Sequence, residues 1–367
     1  MRKDWEYKTL GEICDIYQPK TISNEMLVKG GKYPVYGANG TIGFYNSYNH
    51  IESEILLTCR GATCGTINVS KPYSWINGNA MVIHRKSDYL DFKFLYFLMK
   101  SLDYSLVING AAQPQITRAR LAPIKVAIPP KSTQLSIVSE LDKLNELIRI
   151  KKEQLKDYDT LAQSIFYEMF GDPVKNEKGW EVKKLKDISR KIGDGLHGTP
   201  EYSELDTGWY FINGNNLENG CISIKSTTKK VTDSVRKKYY VEMDDFTLLV
   251  SINGTLGKSA FYNGENVILG KSACYIKLNK DVNKLFIYEI IRGEYFKRYA
   301  ESVCTGTTIR NVSLKAMREF PIIYPPLSLQ HSFAQKIEQI EQQKAAIQKT
   351  ITDLETLLAA RMQYWFD

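Results

Sequence analysis

A long helical pattern occurs twice in this chain of 367 residues, and each copy starts at a Pro-Pro pair and ends at an aromatic residue. The first copy runs from Pro129-Pro130 to Phe170, and the second runs from Pro325-Pro326 to Phe366. Corresponding positions of the two copies lie 196 residues apart. Because such a repeat must be built from equivalent structural units, it limits the possible folds more than any short motif does.

The two helical segments also share one apolar register, with steps that alternate between four and three residues. The first seam consists of Ile137, Leu141, Leu144, Ile148, Lys151, Leu155, Tyr158, Ala162, Ile165 and Met169. The second seam consists of Phe333, Ile337, Ile340, Lys344, Ile347, Ile351, Leu354, Leu358, Arg361 and Trp365. A common register over about four and a half heptads is what two mutually packing helices need, so we expect the helices to pair.

Three cations interrupt this seam, and the matching position of the other copy is apolar each time. Lys151 matches Ile347, Lys344 matches Ile148, and Arg361 matches Ile165. A cation in a helix seam can fix the register of the pairing, meet a partner subunit, or extend its alkyl stem to the edge of the seam. The sequence leaves these three interpretations open.

A second pair of similar segments marks the start of each copy. Trp5-Glu6 with Lys8, Leu10 and Ile13 recurs as Trp180-Glu181 with Lys183, Leu185 and Ile188. These segments lie 175 residues apart, so the second copy is 21 residues longer inside its globular part. The chain therefore divides into a first globular domain at 1–130, a central helix at 131–174, a second globular domain at 175–326 and a C-terminal helix at 327–367.

Composition indicates the compartment. No run of about 18 apolar residues occurs, and the N-terminal residues lack the apolar core of a signal peptide, so we expect a soluble, cytoplasmic protein. The six cysteines form no CxxC pair, and only four histidines accompany them. We therefore expect reduced thiols and no metal site.

The net charge of +8 is unevenly distributed along the chain. The first globular segment has 15 Lys/Arg against 10 Asp/Glu, and the second has 24 against 18. The two helical segments have 6 against 8 and 4 against 5. Basic globular domains joined by nearly neutral helices indicate a polyanion partner for the domains and protein partners for the helices.

Within the globular domains the local pattern predicts a mixed fold, so the chain as a whole belongs to the α+β class. Short β-branched runs bounded by Gly, Asn or Ser predict strands at Ile55–Thr58, Ala80–His84, Leu248–Ser251 and Cys274–Leu278. Glycine- and asparagine-rich stretches predict exposed turns at 37–43 and 213–216. Apolar residues at helical spacing predict helices at Phe92–Leu102 and Leu285–Tyr299.

The sequence offers no motif for catalysis. Five residues separate Gly264 from Gly270 before Lys271-Ser272, where a phosphate-binding loop has four. The Gly37, Gly40 and Gly43 spacing also differs from that of a dinucleotide-binding turn. No Asn/Asp-Pro-Pro-aromatic tetrapeptide of an amino-methyltransferase occurs, and the four histidines lie far apart. We expect a protein that is not an enzyme and binds no cofactor itself.

Taken together, these features resemble the specificity subunit of Type I restriction-modification enzymes, over essentially the whole chain. The resemblance rests on the repeated helices with their Pro-Pro starts and on the closing segments Phe170-Gly171-Asp172 and Phe366-Asp367. It also rests on the starts at Trp5 and Trp180, on the stretch Gly110–Ile116, and on Asp194–Pro200. Since the sequence stops at Asp367, any C-terminal tail that completes the repeat in other members is expected to be short or absent.

The resemblance implies an architecture and a set of partners. Each globular domain would be a target recognition domain that reads one half of a bipartite sequence in double-stranded DNA. The two helices would pair as an antiparallel coiled coil and set the gap, since a 33-residue seam rises roughly 50 Å, or about 15 base pairs. Two methyltransferase subunits, which carry S-adenosylmethionine, would dock on the chain, and restriction/translocase subunits would complete the adenine methyltransferase/endonuclease complex.

Residues for reading DNA are predicted in loops at corresponding places of the two domains. Asn and Gln can pair with adenine and Arg with guanine, whereas Lys, Arg, His, Thr and Ser can contact phosphates or bases. The candidates are Arg60, Asn79, Gln113, Gln115, Thr117, Arg118, Arg120, His197, Thr199, Lys258, Lys271, Arg310, Asn311 and Ser313. Any one of them can equally be a solvated surface group or form a local turn bond.

Two other functions fit the same features. One is the specificity subunit of a related bipartite, Type IIB-like system that cuts on both sides of its target. The other is a scaffold that binds only proteins, in which the basic charge is incidental. Salt-dependent affinity for duplex DNA separates this scaffold from either DNA reader.

Overall fold

The computed structural model describes residues 4–110, 113–304 and 310–367. Residues 1–3, 305–309 and Ala111-Ala112 of the Gly110–Ile116 stretch lie outside the described residues. The chain forms two compact units. The first unit contains Met1–Glu153 and Gln348–Asp367, and the second contains Gln154–Ile347. Both boundaries fall inside the long helices, so each unit holds one globular domain together with part of each helix.

The first unit contains nine strands among its described residues. They are β1 (Glu6–Thr9), β2 (Cys14–Tyr17), β3 (Tyr33–Gly37), β4 (Gly40–Tyr45), β5 (Ile55–Thr58), β6 (Ile67–Val69), β7 (Trp75–Ile76), β8 (Ala80–Arg85) and β9 (Lys125–Ile128). Its helices are α1 (Leu10–Ile13), α2 (Phe92–Ser101), α3 (Arg118–Leu121) and the start of α4 (Lys131–Phe170), with a 3-10 turn at Asn24–Met26.

The second unit has a longer series of elements. Its strands are β10 (Glu181–Lys184), β11 (Ser189–Gly193), β12 (Tyr202–Ser203), β13 (Tyr210–Ile212), β14 (Leu217–Glu218), β15 (Cys221–Ile222), β16 (Lys230–Val231), β17 (Thr247–Ser251), β18 (Ser259–Phe261), β19 (Val267–Leu269), β20 (Ala273–Leu278) and β21 (Pro321–Tyr324). Its helices are α5 (Asp233–Tyr239), α6 (Lys284–Arg292), α7 (Glu294–Val303), α8 (Leu314–Glu319) and the start of α9 (Leu327–Phe366), with 3-10 turns at Leu185–Ile188 and Gly214–Asn216.

The two domains repeat one sheet topology. The order β2-β8-β5-β6 of the first domain corresponds to β11-β20-β17-β18 of the second. In each sheet one of the two inner strands, β5 or β17, is buried at every position. Each domain also has a short parallel pair of strands, β3 with β7 in the first and β13 with β19 in the second. In each domain the first and last strands pair antiparallel, β1 with β9 and β10 with β21. The predicted mixed fold and its internal repeat are confirmed.

The long helices pair within each unit. In the first unit Arg361 of α9 pairs with Glu140 of α4, and Lys152 Nζ lies 2.7 Å from Glu355 Oε1. Residue numbers therefore rise along one helix while they fall along the other, which is the predicted antiparallel arrangement. In the second unit Lys344 Nζ lies 2.9 Å from Asp159 Oδ1. All twenty seam positions lie among the described residues, and each of them is buried or half-buried.

The same glutamine fixes the start of each long helix. Gln134 Nε2 donates to the carbonyl of Pro129 (2.9 Å), and its Oε1 accepts from the backbone N–H of Asp91 (2.8 Å). Gln330 makes the same two bonds to Pro325 (2.9 Å) and to Asn283 (3.0 Å). Asp91 and Asn283 cap α2 and α6, so each glutamine ties a long helix to the short helix of its domain.

Local predictions were confirmed where the pattern was strong. The four predicted strands are present as β5, β8, β17 and β20, and the helix predicted at Phe92–Leu102 is α2. The single helix predicted at Leu285–Tyr299 is wrong, because the chain breaks at Gly293 into α6 and α7. The turn predicted at 37–43 is shorter than expected, since Gly37 ends β3 and Gly40 already begins β4.

Candidate functional site

A junction between two distant segments organises the predicted reading residues of the first domain. Arg60, just after β5, forms an antiparallel bridge with Gln115. The flanking backbone bonds run from Gly61 N to the carbonyl of Pro114 (3.0 Å) and from Ile116 N to the carbonyl of Cys59 (3.0 Å). Buried Cys59 and Ile116 anchor the junction, whereas Arg60 is exposed and Gln115 is half-buried.

Two further side chains join this junction. The thiol of Cys59 donates to the carbonyl of Asn79 (3.4 Å), which brings Asn79 beside Arg60. Gln18, at the end of β2, donates through Nε2 to the carbonyl of Gly78 (2.6 Å) and to Cys59 Sγ (3.2 Å). The ends of β2, β5 and the chain before β8 therefore meet at one place, next to the bridge that carries Arg60 and Gln115.

The second domain forms the same junction with different residues. Asn253, two residues after β17, bridges Asn311. Gly254 N donates to the carbonyl of Arg310 (3.0 Å), and Val312 N donates to the carbonyl of Ile252 (2.8 Å). The loop that holds Asn253 closes where Ser251 N donates to the carbonyl of Lys258 (2.7 Å). The backbone geometry is thus repeated, whereas the side chains presented at it differ between the domains.

A polar cleft of about 300 Å³ opens beside the second junction. It is lined by Leu196, Gly198, Thr199, Tyr202, Phe211, Asn213, Asn253, Lys271 and Ser272. Ser272 Oγ donates to Asn213 Oδ1 (3.1 Å) and accepts from Gly214 N (3.0 Å), which fixes the amide of Asn213. Thr199 and Lys271 are exposed at this cleft. Hydroxyl, amide and ammonium groups of this kind can hydrogen-bond to base edges or phosphates.

The remaining predicted residues occupy three kinds of position. Gln113, Arg118 and Arg120 are exposed, and Thr117 precedes α3 without capping it through its side chain. Neither arginine forms an ion pair with any described residue, so both guanidinium groups are available to an anion. Ser313 instead caps α8, because its Oγ accepts from Ala316 N (3.1 Å).

Two predicted residues of the second domain already have charged partners. His197 Nε2 lies 2.8 Å from Asp194 Oδ2, within the Asp194–Pro200 segment. Arg310 pairs with Glu301 at 2.9 Å. A nucleic acid that recruits either residue has to compete with these carboxylates.

Sequence reasoning missed Gln18, Asn213, Asn253 and Ser272. Asn253 could have been found, because it follows a predicted strand at the place where Arg60 follows its counterpart. Asn213 and Ser272 lie in segments that the sequence marks only as a turn and as an incomplete phosphate-binding loop, and nothing in the local sequence marks Gln18. All three reach the site through sheet topology. For the predicted residues, the structure brings Arg60, Asn79 and Gln115 together in one domain and Thr199, Lys271 and Asn311 in the other.

Comparison with known families agrees with this repeated arrangement. The family model described as Type I restriction modification DNA specificity domain matches residues 2–157 and again residues 177–356. The chain belongs to this family and carries two of its domains. It is a specificity subunit with DNA-recognition domains, which decides against the interpretation as a scaffold that binds only proteins.

Individual relatives are similar over most of their length. A Mycoplasma pneumoniae protein named as a type I specificity subunit is 24% identical over 336 residues, which is 89% of this chain and 86% of the relative. The specificity subunit of the type I restriction enzyme EcoDI from Escherichia coli is 19% identical over 379 residues, covering 95% of this chain and 84% of the relative.

Solved structures share the fold. The S subunit of a type I restriction-modification system from M. genitalium aligns with a TM-score of 0.58 and 16% identity, covering 100% of this chain and 97% of that chain. A second chain, from a structure on complex assembly and conformational transition of the type I R-M system, aligns with a TM-score of 0.63 and 16% identity. The alignment covers 99% of this chain and 97% of that chain.

The part of the chain that the structure describes contains no helix with the length and apolar character of a membrane span.

Proposed function

We propose that each domain of this specificity subunit reads one half of a bipartite DNA target at its own junction. The observation that carries the proposal is the repeated bridge, Arg60 with Gln115 in the first domain and Asn253 with Asn311 in the second. A fixed backbone that presents Arg and Gln at one site and two Asn at the other suits two readers of different sequences. Arg favours guanine, whereas Gln and Asn favour adenine.

The paired helices set the distance between the half-sites in this proposal. Helices α4 and α9 are each 40 residues long, and an α-helix rises about 1.5 Å per residue. Their exposed faces combine charged side chains with exposed apolar ones such as Leu147, Leu161 and Leu357, and their segments are nearly neutral. They therefore suit docking of methyltransferase subunits better than contact with DNA. Two such subunits would bring S-adenosylmethionine, and restriction/translocase subunits would join the same complex in the cytoplasm.

Methylation mapping on assembled complexes tests the proposal. The wild-type chain, combined with its methyltransferase subunit, should methylate adenines in two half-sites separated by a constant gap. The double substitution Arg60→Ala with Gln115→Ala should relax the sequence preference of one half-site, because each lost pairing removes about 1–3 kcal/mol of base discrimination. Asn253→Ala with Asn311→Ala should relax the other half-site instead.

Each double variant serves as the control for the other. Both retain the helices, so both should preserve the gap and the assembly with methyltransferase. If either variant relaxes both half-sites equally, or neither half-site, the assignment of one reading site to each domain is wrong. A methylated target without two separated parts would overturn the proposed function altogether.

A further inference from the structure

The second domain contains a basic segment that the first domain lacks. Between β3 and β5 the first domain has the residues 38–54, whereas between the corresponding strands β13 and β17 the second has 213–246. The stretch 38–54 contains two Glu and no Lys or Arg. Within the longer stretch, residues 225–238 contain six Lys/Arg and a single Asp. Fourteen residues therefore hold a net charge of +5.

Packing orients this segment with its lysines outward. Val231 of β16 is 0% exposed and Val235 of α5 is 7% exposed, and both pack against Phe211 and Ile268. Lys229, Lys237 and Lys238 are exposed. We refer to these three lysines as the basic face. Since the valines hold β16 and α5 on the sheet β12-β16-β13-β19, the basic face belongs to the folded domain.

Neighbouring acids do not neutralise the basic face. Lys230 Nζ lies 3.1 Å from Asp206, and Arg236 lies 3.5 Å from Asp233. Arg236 also stacks over the ring of Trp209 at 5.3 Å. By contrast, no described carboxylate forms an ion pair with Lys229, Lys237 or Lys238. Asp206 and Asp233 are therefore taken by other cations. The ammonium groups of the basic face remain available to an external anion, with Lys238 Nζ 5.2 Å from the centre of the Tyr239 ring.

The basic face is built on the sheet that also forms the polar cleft. Tyr202 of β12 and Phe211 of β13 line the cleft, and both strands pair with β16. Leu196, which also lines the cleft, packs against the cluster that holds Val231 and Val235. The surface that carries the predicted reading residues Thr199 and Lys271 thus continues into the basic face through shared strands.

We infer that the basic face binds the phosphate backbone of duplex DNA in the flank beyond the second half-site. This inference rests on the proposed function and deepens it. Lysine side chains can contact phosphates without regard to base sequence, and each contact releases counterions. The corresponding stretch of the first domain is acidic, so the footprint of the protein extends further past one half-site than past the other.

The test measures the affinity of the methyltransferase complex for its mapped target on two duplexes. One duplex has long flanks on both sides, and the other is trimmed at the outer edge of the second half-site. The triple substitution Lys229→Gln, Lys237→Gln and Lys238→Gln should weaken binding to the long duplex on the order of tenfold and reduce the slope of log affinity against log salt by about 3. On the trimmed duplex, wild type and variant should bind equally.

A charge-matched control removes three exposed lysines of the first domain, Lys20, Lys29 and Lys71, by substitution with Gln. Trimming the second flank should change the affinity of this control by the same factor as it changes the affinity of the wild type. Equal binding of wild type and triple variant to the long duplex overturns the inference. Equal weakening on both duplexes also overturns it, because the contacts would then lie inside the half-site.

A loss of complex assembly with unchanged DNA affinity would mean that the basic face binds an acidic protein surface, which likewise overturns the inference. The proposed function has a separate readout, the binding of the wild-type complex to its bipartite target on the long duplex. Failure of that binding counts against the proposed function, whereas failure of the flank effect alone counts against the basic face.

Discussion

The two units attach their helices to equivalent domains in different ways. In the second unit, the rings of Phe166, Phe170, Phe286 and Phe333 meet within 4.9 to 6.2 Å of one another. At the corresponding positions the first unit has Met362, Phe366, Phe94 and Ile137, and its aromatic contact is Phe94 with Phe366 at 5.5 Å. The repeat therefore preserves the apolar character of the joint but not its packing.

A polar contrast accompanies the apolar one. In the second unit Arg292 pairs with Asp159 and Glu289, both at 3.3 Å, while Lys344 pairs with Asp159 (2.9 Å) and Glu341 (2.8 Å). In the first unit the positions of Glu289, Glu341 and Lys344 are taken by Phe97, Asn145 and Ile148. The charged cluster thus occurs in the second copy and not at the matching positions of the first. The helix framework therefore tolerates a buried carboxylate, Glu289, at the position where the first copy has Phe97.

The largest expected difference between the units comes from their closing aromatic residues. Phe170 is 0% exposed and contacts three rings, whereas Phe366 is half-buried. Phe170→Ala should lower the free energy of unfolding by about 3–5 kcal/mol, because it removes a fully buried ring and leaves a cavity. Phe366→Ala should cost clearly less. Urea unfolding of the purified variants measures both losses, and equal losses would contradict the difference in packing.

The charged cluster makes the second unit sensitive to pH. Burial raises the pKa of the Glu289 carboxyl to about 7, and nearby Arg292 and Lys344 only partly oppose this. The side chain is 8% exposed. Since the folded state binds this proton more tightly than the unfolded chain, stability should fall as pH rises from about 4.5 to about 7 and then level off. The fall should approach ~3 kcal/mol, at ~1.4 kcal/mol per pKa unit.

Glu289→Gln should remove this part of the pH dependence in urea unfolding at pH 5 and pH 7.5. The matched control is Glu294→Gln, which removes an exposed carboxyl paired with Lys297 at 3.1 Å. An unchanged pH dependence in Glu289→Gln, or an equal change in the control, would show that another group causes it.

Sequence reasoning succeeded where structure depends on spacing along the chain. The seam from Ile137 to Met169 could be predicted because helix packing follows a heptad register, and strands such as Ile55–Thr58 could be predicted because they are short and apolar. The sequence did not decide the role of the three cations in the seam. In the structure, Lys344 pairs with Asp159 and Arg361 pairs with Glu140.

Sequence reasoning was limited where structure depends on distant contacts. The bridge between Arg60 and Gln115 joins residues 55 positions apart, so no local pattern indicates it. The buried environment of Glu289 likewise depends on two long helices that pack against α6. The roles of the predicted reading residues stay predictions, because those roles depend on contacts with a separate molecule, the DNA.

The smallest expected loss of stability comes from substituting the buried glutamine at the start of each long helix, and this loss should be the same in the two units. Gln134 and Gln330 are both 0% exposed, and each joins the start of a long helix to the cap of a short one through two hydrogen bonds. Gln134→Met or Gln330→Met preserves volume but leaves a buried N–H and a buried carbonyl without a partner, which should cost about 2 kcal/mol in either unit. A loss of stability confined to one variant in urea unfolding would show that the repeat preserves this residue without preserving its role, since the surrounding helices pack so differently. Equal losses would place the common framework of the two domains at these glutamines.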